Sequence, residues 1–591
     1  MEEFHGKDIV SSLYKGTFFV LLMSMLATTI GNVIDGIIIG NNLGADAMAA
    51  FGFNTPLQKF TAILPNLLMM GMQIICSQKL GKGKLNEAIG AFSLAVSVGV
   101  IVSILFAVIF FAVPGKIADL LGADESFGII RTETINYFQA FSFGLPAMAA
   151  VTLLTPIMQL DSDRQRAVKA VTILSASNVI GDLIAIFYFG GGMWSIGIAT
   201  AVSYWLSLAF LLLHFRKPEA TFKFSFADIK FSDFGQMFFN GVPVALGRGA
   251  SMCQSSLLNY LAVGTGAGAA GVAALAIFNN IFSMVEAILK AAASATQIIS
   301  GIFIGEQDKR AILKLLKISF KYATLISALT LLILIFGAPT VAGMYINNSD
   351  SLVFELVVYG INFMAFSAMF QIFALILQYF YQAYGRFKLV SFMAVANNIL
   401  FIAPLALILT PRFEMTGIWL SILLNNVLFL IAIFIGIWIF YKKFTFKSED
   451  MLLLPKDFDS AENPQINMTV NFKNDDLSIS EVVEVFLEKH NISRKKTMYS
   501  AICVEEMVKN ILEYGFNDGQ KHSINIRVII QGENVIIRIR DDCRAFNPQK
   551  WYEIYSPEDL TAHIGIRLVS KISKEFKYIN VLNLNNLIIK I

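Results

Sequence analysis

Asp35 stands where a charge is expensive. The run from Asn32 to Gly40 puts it inside an apolar segment of about residues 14–41, long enough to cross a bilayer. An ionisable group at that depth costs about 2.5–3.5 kcal/mol on insertion scales, so it usually faces a cavity and works there. Such a carboxylate exchanges a proton or holds a cation, unless it is only hydrogen-bonded between helices. Three more charges, Arg248, Glu286 and Lys290, lie in apolar segments farther on. Glu286 and Lys290 are one helical turn apart and either pair with each other or line a substrate cavity.

The rest of the chain has to hold these groups at depth. Its 591 residues are 56% apolar and 15% charged, with 51 Phe, which is a membrane composition. A net charge of +3 is too small to argue for nucleic acid. Cys76, Cys253, Cys503 and Cys543 have no zinc or disulfide spacing, and the five histidines are scattered. No cleavage site follows the first apolar run, so that run is expected to remain as a span.

Up to about Lys442, hydropathy divides the chain into twelve spans, near 14–41, 54–80, 88–114, 128–158, 167–190, 193–214, 233–263, 270–304, 311–336, 353–382, 387–409 and 415–441. Lys and Arg crowd alternate linkers, as in Lys79, Lys82 and Lys84 and again in Arg164, Arg166 and Lys169. The positive-inside rule then puts both chain ends in the cytoplasm, for a multi-pass protein of the cytoplasmic (inner) membrane. The membrane part also repeats itself. A shift of 224 residues lays Gly40 on Gly264, Gln73 on Gln297 and Gly81 on Gly305, and a shift of 220 lays Asn178 on Asn398. Six spans per repeat give two lobes of the same orientation, residues 1–231 and 232–445, with the substrate path between them.

The segment from Asp35 to Gly40, the segment from Leu43 to Gly52, the Gly81-Lys82-Gly83-Lys84 linker and the two six-helix halves resemble the multidrug and toxic compound extrusion (MATE) family over about residues 10–445. The resemblance implies export of organic cations and other drugs against inward flow of H⁺ or Na⁺. It also implies a coupling cluster in the N-terminal lobe made of Asp35, Asn178, Asp182 and Thr200. The chemistry of that set is sound in itself. Asn178 and Asp182 share a helix face, and two carboxylates at low dielectric disfavour double ionisation, so a proton or Na⁺ is the natural neutraliser. Asn and Thr oxygens complete a hard-cation shell. The repeat position of Asp35 is Asn259 and that of Asp182 is Ile402, so coupling is expected in the N-terminal lobe alone. The first span lacks the proline that many family members have, which removes a proline-driven bend.

Residues 446–465 are charged and contain Pro455 and Pro464, and read as a linker. Residues 466–591 have soluble α+β patterning: a strand at 466–472, helices at 478–489, 497–514 and 560–576, and a hairpin of 524–530 with 534–540. They resemble the GHKL ATP-binding sandwich, closest to anti-sigma-factor serine kinases. That resemblance implies Glu506 as base, Asn510 as Mg²⁺ ligand, Asp541 on the adenine amino group, and His563 and Gly565 in the phosphate loop. Cys543 and His563 stand where the family has glycine. It further implies bound ATP and Mg²⁺, weak serine-kinase activity or a degenerate regulatory role, and an anti-anti-sigma-like protein partner. The expected fold is therefore an all-α polytopic membrane protein of twelve transmembrane helices plus a cytoplasmic α+β domain. The leading function is cation-coupled drug export; a lipid-linked precursor flippase and a membrane sensor with a kinase-like output are the alternatives.

Overall fold

The computed structural model describes residues 9–120, 125, 128–218, 220–345, 352–441, 448–455, 458, 464–470, 479–516, 522–548 and 564–591. The membrane part is built from helices: α1 (Ile9–Gly81), α2 (Leu85–Ala112), α3 (Pro114–Leu120), α4 (Ile129–Ser142), α5 (Leu145–Leu160), α6 (Arg164–Phe187) and α7 (Met193–Leu212) form the first lobe. The second lobe holds α8 (Ser232–Val263), α9 (Gly268–Gly305), α10 (Lys309–Gly343), α11 (Leu352–Ala383), α12 (Phe387–Val395) and α13 (Ile402–Tyr441). α1 contains two apolar arms, Ile9–Ala27 and Phe60–Gly81. The Tyr14 hydroxyl donates to the Ala292 carbonyl and the Gln297 amide meets the Met70 sulfur. Both arms thus reach nearly the same turn of α9, so the chain folds back between them.

Among the described residues nine helices are long and apolar enough to cross a membrane, or ten if the bent pair α4–α5 is one span. The expected twelve also needs α8, which Asn240, Arg248 and Asn259 make more polar, and a division of α13 where Glu414 breaks the helix (φ 54°, ψ −138°). Length and composition alone do not reach that count.

The lobes meet tightly at the face that carries the basic linkers. A Cβ on Gly305 would lie 2.2 Å from the Gln78 carbonyl oxygen and 2.9 Å from Gly81 Cα, and one on Gly81 would lie 2.1 Å from the Ile302 oxygen. These glycines are repeat equivalents, so the pseudo-axis runs close to their contact. Beside it, His214 bridges Asp161 (2.6 Å) and Asp163 (2.9 Å) and folds the turn between α5 and α6. Burial alone would raise Asp163, but hydrogen bonds from Lys217, His214 and Arg166 hold its carboxyl well below the usual range.

The C-terminal domain is one antiparallel sheet of order β1-β2-β3-β5-β4: β1 (Gln465–Val470), β2 (Ile524–Gln531), β3 (Asn534–Asp541), β4 (Glu575–Val581) and β5 (Leu584–Lys590). Three helices cover one face; we number them α14 (Ile479–Lys489), α15 (Arg494–Asn510) and α16 (Ile564–Ile572). Period-two alternation sends Ile524, Ile526, Val528, Val535, Ile537 and Ile539 into the core with those helices. The helix expected over 560–576 ends at Ile572, because β4 pairs with β5 from Glu575 onward. The other sheet face packs on the basic face of the membrane part, where Ile579, Val581, Leu582 and Leu584 join its apolar cluster. Within the expected linker, residues 451–454 are buried and the Tyr381 hydroxyl donates to the Met451 carbonyl at 2.7 Å.

Candidate functional site

The first candidate site is in the N-terminal lobe. Gly16 of α1 abuts Arg164 at the start of α6, and Gly31 abuts Ser175, whose hydroxyl donates to the Ala27 carbonyl at 3.1 Å. The two helices therefore run parallel in contact, and the helical backbone at residue 35 lies one turn beyond Gly31, level with residues 178–182. The side chain of Asp35 itself lies outside the described residues. Asp182 is fully buried at 0% exposure, and the Asn178 amide donates to its Oδ1 over a long 3.5 Å. One residue earlier, Gly181 lets α7 approach so closely that a Cβ would be 2.9 Å from that of Ala199. That contact sets Thr200 next to the Asp182 level, although its hydroxyl donates to the Ile196 carbonyl of its own helix at 3.1 Å. Its oxygen keeps lone pairs for a cation.

The C-terminal lobe brings its three charges together. Lys290 and Glu286 form an ion pair at 2.8 Å. Arg248 makes no hydrogen bond or ion pair among the described residues, yet it lies within electrostatic reach of Glu286 and Lys290. Tyr379 joins them, a residue that no sequence pattern singles out.

The third candidate is a cavity of about 430 Å³ in the C-terminal domain, walled by Asn510, Tyr514, Asp541, Phe546, Ile566, Tyr578 and Asn585 among others. Asp541 accepts from the Asn585 amide at 2.7 Å and from the Cys543 backbone N–H at 3.0 Å. Burial raises its carboxyl above the usual range, against the lowering effect of those bonds. The Asn585 carbonyl oxygen is held by the Tyr578 hydroxyl (2.5 Å) and the Asn580 amide (2.8 Å), which fixes which end faces Asp541. Sequence reasoning missed Asn585; its signal is weak because it is one of two adjacent asparagines in a mostly apolar strand.

Cys543 adopts no positive φ, and its sulfur occupies the space left by the absent Cβ of Gly515. The glycine that the family has at 543 is therefore not needed here for backbone reasons. A Cβ on Gly565 would lie 2.0 Å from Glu506 Oε2, so the glycine lets the start of α16 sit against that carboxylate without turning it aside. His563 lies outside the described residues. The buried Asn510 Nδ2 has no hydrogen-bond partner among the described residues, which leaves this amide available to a ligand. No three His, Cys, Asp or Glu among the described residues converge on a metal.

The MatE family model matches residues 21–184 and 243–408, both lobes in turn. The chain belongs to the MatE family. A second model, the histidine kinase-like ATPase domain, matches residues 475–591 of this MatE chain. The probable multidrug resistance protein NorM of Photorhabdus laumondii is 23% identical over 436 residues, which are 71% of the chain and 93% of that protein. Two solved structures, each 18% identical, share the fold. A Vibrio cholerae MATE transporter has a TM-score of 0.66 over 72% of the chain and 95% of its own. A Pyrococcus furiosus transporter of the MOP superfamily has a TM-score of 0.67 over 73% and 97%. This MatE chain is thus a multi-pass membrane protein with an α+β ATPase-like domain at its end.

Proposed function

We propose that this chain exports organic cations and drugs from the cytoplasm, driven by inward H⁺ or Na⁺ and regulated by its nucleotide-binding domain. Both chain ends are then cytoplasmic. The observation that carries the reading is the fully buried Asp182, with Asn178 on the same helix face, beside the α1 turn that bears Asp35. A carboxylate sealed from water gains most from a neutralising cation, so proton or Na⁺ occupancy and substrate occupancy compete for the same charge. Asn178 orients the Asp182 carboxylate, and Thr200 offers a neutral oxygen. Arg248, Glu286, Lys290 and Tyr379 line the substrate path in the other lobe.

In the regulatory domain, the ionised Asp541 accepts from the adenine amino group, and Asn585 keeps that carboxylate in place. Asn510 would hold a Mg²⁺ ion, which would offset the phosphate charge. Glu506, seated against Gly565, is positioned to orient a hydroxyl or water. A partner protein of the anti-anti-sigma kind would meet the exposed helices of this domain. The test is dye efflux from proteoliposomes under a pH or Na⁺ step. Asp35→Asn and Asp182→Asn each abolish the dependence on the gradient while the protein stays folded. Gradient-driven efflux at the wild-type rate in both variants would overturn the reading.

A further inference from the structure

The sheet that holds the nucleotide cavity is also the surface that grips the transporter. β3 and β5 pair Arg540 with Asn586 and Asp541 with Asn585 in adjacent register. Side chains alternate along a strand, so each neighbouring pair splits across the sheet. Asp541 and Asn585 face the cavity and bond each other at 2.7 Å. Arg540 and Asn586 face the membrane part, and both bind one carboxylate, Glu306. Arg540 takes Oε2, and the Asn586 amide donates to Oε1 at 2.8 Å. Glu306 is 2% exposed and directly follows Gly305, whose backbone presses on Gly81 of the other lobe.

The same sheet face reaches both lobes. On the C-terminal lobe, Arg527 donates to the carbonyls of Glu306 (3.4 Å) and Gln307 (3.1 Å) and lies 3.6 Å from Asp308. On the N-terminal lobe, Arg538 donates to the Gly81 carbonyl at 3.3 Å. The turn between β4 and β5 adds Leu582 N–H to the Leu160 carbonyl at 3.3 Å and Asn583 N–H to the Ser162 hydroxyl at 2.8 Å. A rigid-body separation of the lobes at this face must break one of these two sets of contacts.

We propose that the nucleotide domain is a clamp on alternating access, with Glu306 as the residue through which nucleotide occupancy is sensed. The inference rests on the nucleotide-site and exporter reading above. A nucleotide bonded to Asp541 favours the arrangement of β3 and β5 in which Asn585 and Asn586 are both engaged, and a ligand stabilises the state it prefers. The Arg540–Glu306–Asn586 grip is one strand residue away from that contact, so occupancy tightens it. With nucleotide bound the lobes stay shut on the cytoplasmic face, and export slows. Release of nucleotide loosens the grip and lets the lobes part.

The experiment pairs two measurements on the full chain in proteoliposomes, with the domain facing the bath. Calorimetry reads binding of Mg²⁺-ATP and of the non-hydrolysable adenylyl imidodiphosphate. Dye flux under a fixed cation gradient reads transport with and without each. Wild type binds both, and saturating nucleotide slows flux by about 5-fold or more, the lower end of ordinary allosteric coupling. Glu306→Gln and Asn586→Ala still bind nucleotide and transport near the nucleotide-free wild-type rate, but lose the slowing. Heat of binding with no change in wild-type flux overturns the clamp alone. So does slowing that persists in both variants. No heat of binding in wild type overturns the nucleotide reading, and the clamp with it.

Discussion

Replacing Gly305 with alanine tests a close backbone approach between the two lobes on the proposed clamp face. The new Cβ would stand 2.2 Å from the Gln78 carbonyl oxygen and 2.9 Å from Gly81 Cα. Ordinary contact is about 3.5 Å, so the helices must part by about 1 Å. Both obstacles are backbone, so no rotamer change relieves them. Overpacking of this kind costs about 1–3 kcal/mol. All of that cost falls on the state in which the lobes touch, so the equilibrium moves about 5- to 150-fold toward states parted at this face. Ser77 is buried at the lobe contact, its hydroxyl filling the space where a Gly301 Cβ would be. Maleimide labelling of a Ser77→Cys reporter therefore reads the parting. Cys253 is exposed and is changed to serine for this purpose, whereas Cys76, Cys503 and Cys543 are buried. Gly305→Ala should raise the labelling rate by at least the lower factor and slow export, because the return to the closed state is opposed. Gly235→Ala, where a Cβ meets nothing within 4 Å, serves as the control. Equal labelling and equal flux in the two alanine variants would refute the argument that this contact closes the path.

Other outcomes follow from the same geometry. Asn178→Ala should weaken cation dependence more than Thr200→Ala, since Asn178 bonds Asp182 while Thr200 bonds its own helix; titrating flux against Na⁺ and pH orders the two. Gly565→Ala should lower ATP affinity through collision with Glu506, and adding Glu506→Ala should restore part of it, a non-additivity that calorimetry detects. Burial raises Asp541 above its ordinary value of 3.8. The ionised form accepts the adenine amino group, so protonation competes with binding and affinity falls as pH drops through that raised value. The slope should approach about one decade per pH unit below it. Affinity that stays flat until pH 3.8 or lower would remove Asp541 from base recognition.

Much of this was legible in the chain itself. Membrane class and the two-lobe repeat follow from hydropathy, charge alternation and the internal register of glycines, because a bilayer punishes polar groups so heavily that few arrangements survive. The hairpin followed as well, from two runs alternating with period two around Gly532, whose φ is +58°. The grouping of Arg248 with Tyr379 was not legible, since those residues lie on different helices and only packing brings them together. Nor was the role of Arg527, Arg538 and Arg540. With Arg538 and Arg540 two apart on one strand and Arg527 opposite Arg538 on the other, they share the outer face of a hairpin and read as an ordinary solvated edge. Tertiary structure buries Arg527 and Arg540 against the transporter, where the Glu306 carboxylate and the carbonyls around Gly81 and Gly305 accept at least one hydrogen bond from each of the three. Sequence fixes which strand face is charged. Only the docked structure decides whether water or another part of the same chain neutralises it, because that choice depends on acceptors more than two hundred residues away.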